Sequence, residues 1–294
     1  MNPRLKRIID SIDSLPTLPD TAVRLIDLAN RDNYQVSEII TIIERDPAIA
    51  TRVLKVANSP FYGFLGKISS IDHAVTLLGM NELKNIVLAS ALSIYFGNGK
   101  QLGHSSLNNL WKHSVVTAFV ARMLGEDLGD HDIASLFLIG LIHDIGFVIM
   151  SRYFKEEFSE LMEIAGEKDV ELYTLEKKIV GASHCEIGAL ILKNWKLPHK
   201  VVLAVLFHHE PWKDTSYPLV STIIYFADIL ARIIGFPPNT LERKFEIDSF
   251  IDSPGAAMVS KAGFNPSHES IDRLLRRIGQ HIGSSNDLSS IFKM

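Results

Sequence analysis

Hydrophobic residues recur along the chain at intervals of three and four positions, the spacing that places side chains on one face of an α-helix. In DTAVRLIDLAN, which starts at Asp20, Val23, Leu25, Ile26 and Leu28 supply this apolar face. The strict alternation and the hairpin dipeptides that mark β-strands are scarce. The pattern therefore predicts an all-α protein.

Capping residues indicate where the N-terminal helices begin. Asp20 and Asp46 each stand beside a proline suited to a first helical turn, while Ser37 and Ser70 precede apolar helical stretches. Another helix is predicted from Glu82 to Phe96. We therefore expect about five helices in the first hundred residues.

A glycine-rich stretch, GNGKQLGHSS from Gly97 to Ser106, is the best candidate for a boundary between subdomains. The predicted organisation is an N-terminal helical bundle over 1–100, a helical core over 101–234 and a C-terminal helical extension over 235–294. Within the core, Ile133 to Tyr153 is predicted as one continuous helix.

Composition narrows the function classes. The chain is 47% hydrophobic and 22% charged, as in ordinary globular proteins, and its 30 basic against 34 acidic residues disfavour binding to nucleic acid. Its single cysteine, Cys185, excludes an intrachain disulfide and a multi-cysteine zinc site. The sequence shows neither a signal peptide nor an apolar run of about 18 residues. We expect a cytoplasmic protein that contacts neither membrane nor nucleic acid directly.

Seven ionisable residues fall on apolar helical stripes. The clearest case is LIGLIHDIGFVIM, where a histidine and an aspartate stand side by side among apolar residues. Burying such groups is costly unless a charge, a hydrogen-bond network or a metal compensates them. The seven residues are His113, His143, Asp144, His184, His208, His209 and Asp228.

Neutral imidazole nitrogens and carboxylate oxygens are suited to Fe, Mn, Zn and related divalent ions, and helical bundles build such sites from facing helices. The set therefore predicts one or two divalent metal ions, with Fe or Mn favoured and Zn or Ni as alternatives. A metal-free polar network is the other interpretation. Cys185 is interpreted as a small buried residue outside the site.

The order of these residues resembles the ligand series of the HD superfamily of metal-dependent phosphohydrolases. The resemblance implies a first metal site formed by His113, His143, Asp144 and Asp228, and a second formed by Asp144, His184, His208 and His209. In this arrangement Asp144 is shared between the two metals.

Two branches of this superfamily compete. HHEPWKDTSYP, from His208 to Pro218, resembles the signature of HD-GYP phosphodiesterases, which cleave cyclic di-guanylate, but Asp214 and Ser216 stand where that signature has glycines. SLPTLPDTAVRLIDL, IIERDPAIATRVLKVANSPFYG and ISSIDHAVTLLGMNELKNIVLASAL are similar to the HDOD (HD-related output) domain. This second similarity covers most of residues 10–230.

The resemblance leaves two functions open. The first is a bacterial signalling or output module that couples a metal or a nucleotide-like ligand to partner signalling proteins. The second is a metal-dependent phosphohydrolase acting on a cyclic nucleotide or another phosphoester, with Asp144 as its catalytic residue. In that case two metal ions would acidify a water molecule and stabilise charge on the attacked phosphoryl group.

Overall fold

Every regular element in the described part of the chain is a helix, so the predicted all-α class is confirmed. The computed structural model describes residues 18, 20–29, 35–58, 67–97, 104–129, 132–167, 172–238 and 245–282. The N-terminal helices are α1 (Asp20–Ala29), α2 (Val36–Glu44), α3 (Pro47–Ala57), α4 (Ile71–Leu78) and α5 (Met80–Gly97).

Side-chain caps start two of these helices where the sequence predicts. Asp46 accepts a hydrogen bond from the Ile49 amide at the start of α3, and Ser70 caps α4 in the same way. The prediction is wrong for Ser37, which lies inside α2 rather than before it. It is also wrong for Val23, which is exposed because it falls outside the stripe that α1 buries.

The core and the C-terminal part follow as further helices. The core consists of α6 (His104–Asp127), α7 (Ile133–Ile142), α8 (Ile145–Tyr153), α9 (Lys155–Glu167), α10 (Leu172–Ile179), α11 (His184–Asn194), α12 (His199–Phe207), a one-turn 3-10 helix (Pro211–Lys213) and α13 (Pro218–Ile233). Beyond it lie α14 (Ile247–Ile251), α15 (Pro254–Lys261) and α16 (His268–Ile282).

Helix α6 is central, packing along both α7 and α13. Helix α8 packs on α11, α11 on α12, and α15 on α13. The N-terminal bundle is joined to this core through α5, which contacts α6 and α7. Residues 98–103 of the predicted boundary lie outside the described residues, and the divisions at residues 100 and 234 stay predictions.

The predicted single helix from Ile133 to Tyr153 is interrupted. Helix α7 ends at Ile142 and α8 begins at Ile145, because Asp144 adopts φ −97° and ψ 16°, outside the helical region. His143 and Asp144 therefore form the corner between two helices, and their side chains can face residues that a straight helix would direct elsewhere.

The segment around this corner is the longest continuously buried stretch among the residues that the structure describes. Residues 136–151 are buried without interruption. By length and composition alone, Ser135–Tyr153 is apolar enough to cross a membrane, which the sequence analysis did not anticipate, but 89% of it is buried inside the fold. Its hydrophobicity is thus accounted for by its place in the core.

Two glycines allow the helices on either side of this corner to touch their neighbours. A Cβ atom on Gly140 would lie 2.6 Å from the Cα of Ala118 in α6, and one on Gly146 would lie 1.9 Å from the carbonyl oxygen of His184. Only hydrogen fits at either position. The glycines therefore bring the backbones that carry the predicted site residues into direct contact.

Candidate metal centre

The structure brings all seven predicted site residues together at one place in the core. The seven residues lie as follows: His113 in α6, His143 and Asp144 at the α7–α8 corner, His184 at the start of α11, His208 and His209 directly after α12, and Asp228 in the middle of α13. Five different parts of the chain, up to 115 positions apart in sequence, thus converge on a single cluster.

One half of the cluster contains the residues of the first predicted metal site. The Nε2 atom of His113 lies 3.2 Å from Nε2 of His143 and 3.0 Å from Oδ1 of Asp228. The Oδ2 atom of Asp144 lies 3.3 Å from Nε2 of His143 and 3.6 Å from Nε2 of His113. These four side chains are all buried.

The other half contains the residues of the second predicted site. The Oδ1 atom of Asp144 lies 3.3 Å from Nε2 of His184 and 3.6 Å from Nε2 of His208. Those two nitrogens are 3.2 Å apart, and Nε2 of His209 lies 3.2 Å from that of His184. Asp144 therefore directs one carboxylate oxygen to each half of the cluster.

The opposite nitrogens of four imidazoles are held by hydrogen bonds. Three Nδ1–H groups donate to main-chain carbonyls, from His113 to Phe236 at 2.7 Å, from His143 to Gly140 at 2.8 Å and from His208 to Val205 at 2.7 Å. The fourth, on His184, donates to the carboxylate of Glu176 at 2.8 Å. These bonds assign the proton to Nδ1 and aim each Nε2 into the cluster, as is usual for metal-binding histidines.

Glu176 is a site residue that the sequence analysis missed. It is fully buried, and its Oε2 atom also accepts a hydrogen bond of 2.7 Å from the main-chain nitrogen of His184. Glu176 stands between Leu172 and Ile179 on the apolar stripe of α10. The rule that identified the other seven residues, an ionisable group on an apolar stripe, would also have identified this one.

The centre consists almost entirely of hydrogen-bond acceptors. With Nδ1 protonated, a neutral imidazole offers only a lone pair at Nε2, and an ionised carboxylate also only accepts. Both oxygens of Asp144 are buried and have no hydrogen-bond partner. Protons on the rings or metal cations must therefore supply positive charge here. The nitrogen and oxygen donors fit divalent ions. His143, Asp144 and His208, which come from both halves of the cluster, lie close enough together to bind one such ion.

The electrostatics favour the protonation states of metal ligands for four of these groups. Burial by itself would raise the pKa of both aspartates. The imidazoles around Asp144, His143 most strongly, together outweigh it, and Arg232 together with His113 and His209 does so at Asp228, so both pKa values lie well below the usual range. Burial lowers the pKa of His143, and at His209 burial acts together with the neighbouring His208 and His184 to lower the pKa well below its usual value. Ionised carboxylates and neutral imidazoles are the forms that bind cations.

Two histidines in the other half of the cluster have raised rather than lowered pKa values. Burial by itself would lower the pKa of both His184 and His208. At His184, the neighbouring Cys185 and Glu176 together outweigh burial. At His208, Cys185 and Asp144 do the same. The pKa of His184 lies well above its usual value, and that of His208 rises to about 10. A metal ion at this half of the cluster would therefore compete with protons for these two nitrogens.

The interpretation of Cys185 as a residue outside the site is wrong. It is a small buried residue on α11, as expected, but its Sγ atom lies 3.5 Å from Nε2 of His184 and 3.8 Å from Nε2 of His208. Burial raises the pKa of this thiol, and the two imidazoles outweigh burial and lower it. Adjacent positions on a helix point in different directions, which is why the sequence pattern did not place Cys185 beside His184.

One edge of the cluster is less buried than the rest. The side chain of His209 is 14% exposed, and the ring of Tyr173 lies 5.0 Å from it. Tyr173 donates a hydrogen bond of 2.7 Å to Glu210, and Arg232 donates one of 2.9 Å to Oδ1 of Asp228. A ligand reaching the centre from solvent would pass these partly exposed polar groups.

The turn after α12 is built differently from a glycine-rich loop. Asp214 is buried, its Oδ1 atom accepts hydrogen bonds from the amides of Ser216 and Tyr217, and its Oδ2 atom accepts one from Ser221. Its φ of −80° is open to any residue. Asp214 thus closes the turn that leads into α13, at a position where the HD-GYP signature has a glycine.

Comparisons with known proteins agree with this architecture. A crystal structure of an HDOD domain protein of unknown function from Geobacter sulfurreducens has a TM-score of 0.81 at 23% identity and covers 99% of this chain and 98% of that one. A Shewanella amazonensis structure, provisionally described as a phosphohydrolase, has a TM-score of 0.75 at 22% identity, with 97% and 98% covered. Similarity at this level of identity establishes the shared fold.

Sequence comparison identifies the family. An uncharacterized protein of Treponema pallidum is 30% identical over 230 residues, which are 77% of this chain and 44% of that protein. The chain spans less than half the length of the curated relatives it matches. A family model described as the HDOD domain matches residues 15–211, well over half of the sequence. The chain therefore belongs to the HDOD domain family.

Proposed function

We propose that this protein is an HDOD signalling module that holds a binuclear divalent-metal centre and couples occupancy of that centre to partner proteins. The observation that carries the proposal is Asp144, whose two buried oxygens lack hydrogen-bond partners while each faces a pair of imidazole nitrogens. Leaving a buried carboxylate in this state is costly without a cation on each side.

Different residues of the cluster would bind the two ions and orient the ligands. His113, His143 and Asp228 would hold a first ion, and His184, His208 and His209 a second, with Asp144 shared between them. Main-chain carbonyls and Glu176 orient the rings, and Arg232 holds Asp228. Iron or manganese, with zinc or nickel as alternatives, suits these donors.

Catalysis of phosphoester hydrolysis is the second candidate. A pair of divalent ions supplies an acidified water and stabilises negative charge on a phosphoryl group. The complete donor set and the partly exposed edge at His209 and Arg232 favour this activity. The turn closed by Asp214 counts against a cyclic dinucleotide as substrate, because its backbone lacks the glycines of the HD-GYP signature.

The other parts of the proposal concern the cell. We place the protein in a bacterial cytoplasm, with signalling proteins as partners and a nucleotide or another phosphoester as ligand. The chain's net charge of −4 gives no electrostatic support for contacts with nucleic acid or an anionic membrane.

Metal content tests the proposal. We would purify the full chain anaerobically, reconstitute it with iron and manganese, and measure bound metal by elemental analysis for the native protein, Asp144→Asn and His199→Ala. The native chain should hold about two ions, as binuclear centres do. Asp144→Asn should lose most of this metal while keeping its helical circular dichroism.

His199→Ala is the matched control, because His199 is an exposed histidine on α12, the helix that leads to His208. It should retain the native metal content. Near-zero metal in the native chain, or equal content in the native chain and Asp144→Asn, would refute the binuclear centre. If the metal-loaded chain hydrolyses phosphoesters, the phosphohydrolase is the correct function. If it does not, the signalling module is favoured.

A further inference from the structure

We infer that Cys185 is a sulfur ligand of the second metal site, so that the two halves of the centre differ in chemistry. One half presents only nitrogen and oxygen atoms. The other presents the Sγ atom of Cys185 together with the Nε2 atoms of His184, His208 and His209. This inference rests on the metal centre proposed above and adds a donor that the sequence analysis assigned to the core.

The distances match a shared ion. Two ligands at about 2.0–2.1 Å (nitrogen) and about 2.3 Å (sulfur) from a tetrahedral zinc ion are roughly 3.5 Å apart. The Sγ atom lies 3.5 Å from Nε2 of His184 and 3.8 Å from Nε2 of His208, and those two nitrogens are 3.2 Å apart. The three atoms therefore form the face of a coordination polyhedron.

A second observation, which also supports the metal centre itself, points to a cation at this face. The Oδ1 atom of Asp144 is buried, has no hydrogen-bond partner and lies 3.3 Å from Nε2 of His184 and 3.6 Å from Nε2 of His208. The unpartnered carboxylate oxygen and the thiol thus approach the same pair of imidazoles. A cation among them would satisfy both.

A site with both sulfur and nitrogen ligands should prefer some metal ions over others. Thiolate is a soft ligand that favours zinc, iron and cobalt over manganese and magnesium, whereas carboxylate and imidazole alone discriminate less. The second site should therefore prefer a thiophilic ion, while the first site, with His113, His143 and Asp228, accepts harder ions. A centre with two different metals becomes possible in one chain.

Cobalt(II) titration of the metal-free full chain under anaerobic, reducing conditions tests the inference. Bound cobalt gives visible ligand-field bands, and a cobalt–thiolate bond adds an intense charge-transfer band in the near ultraviolet. Cys185 is the only cysteine in the chain, so a thiolate band in the native protein can come from no other residue. We expect both sets of bands, with loss of the near-ultraviolet band alone in Cys185→Ser.

X-ray absorption of the zinc-loaded native chain gives a second readout that needs no variant. One sulfur at about 2.3 Å should accompany nitrogen and oxygen at about 2.0–2.1 Å. In Cys185→Ser, zinc should bind at least about tenfold more weakly, since a lost ligand should cost no less than a lost outer-shell partner. Manganese binding should be unchanged.

The outcomes separate this inference from the proposed function. Visible cobalt bands without a thiolate band, together with a zinc shell of nitrogen and oxygen only, would overturn the sulfur ligand and leave the metal centre standing. Absence of any cobalt or zinc uptake would overturn both. If Cys185→Ser fails to fold, the native cobalt and zinc spectra decide the question alone.

Discussion

At the scale of single residues, the centre depends on hydrogen bonds that lie outside the seven predicted ligands. An imidazole can bind through either nitrogen, and the acceptor at Nδ1 determines which one faces the metal. Three of these acceptors are main-chain carbonyls that no substitution can remove directly. Glu176 is the exception, because its side chain holds both the ring and the backbone of His184.

Replacing Glu176 with glutamine tests this support. Glutamine keeps the size of the side chain but removes the charge and turns one acceptor into a donor, which faces the donors of His184. We expect metal affinity to fall about 10–100-fold, the usual effect of losing such a partner. Competition with a chelator measures this affinity.

Glu160→Gln serves as the matched control for Glu176→Gln, because Glu160 is exposed on α9. It should leave the affinity for metal unchanged. Native affinity in Glu176→Gln would mean that the carboxylate does not position His184.

At the scale of helices, the α7–α8 corner decides where the site forms. The hydrophobic pattern runs through residues 133–153 without a break, and it therefore predicts one helix. The observed break follows from packing, since Gly140 and Gly146 lie directly against the backbones of α6 and α11. Periodicity reports which residues are buried, and it carries little information about a two-residue turn inside a buried segment.

Gly146→Ala tests this close approach. Its new methyl group would lie 1.9 Å from the carbonyl oxygen of His184, so α11 or α8 must shift. We expect a loss of about 1–3 kcal/mol in the free energy of unfolding, as for other overpacked cores, together with weaker metal binding through displaced His184. Urea unfolding and chelator competition measure the two effects.

Gly279→Ala is the control for this substitution, because Gly279 lies in α16 with open space around its Cα atom. Alanine there should stabilise the protein slightly, by up to about 1 kcal/mol, since it favours the helix. If Gly146→Ala proved as stable as Gly279→Ala, direct contact between the two backbones would be wrong.

At the scale of the whole molecule, the centre joins distant parts of the fold. Its residues come from α6, α11, α12, α13 and the α7–α8 corner, and His113 also bonds to the carbonyl of Phe236, just beyond α13. An ion bound there would cross-link these elements. Metal occupancy should therefore stabilise the folded state as a whole.

Metal removal tests this link. At a free metal concentration about 100 times the Kd, binding contributes about 2.7 kcal/mol to stability. For a domain of this size, we expect chelation to lower the Tm by roughly 5–10 °C. Differential scanning calorimetry of the native chain with and without chelator measures the shift.

Asp144→Asn should show little of this shift, because it lacks the carboxylate shared by both halves of the centre. Identical melting of the native chain with excess metal and with chelator would show that the ion does not hold the elements together.

The sequence alone determined the helical class, the apolar stripes and the residues that stand on them, since burial of a helix face imposes a period on the chain. It also carried the order of seven histidines and aspartates that resembles the ligand series of the HD superfamily. Tertiary structure alone decided the break at His143 and Asp144, the contact of Glu176 with His184, the position of Cys185 beside His184, and the use of Asp214 in a turn. These features depend on distances between segments far apart in the chain, which a one-dimensional pattern does not contain.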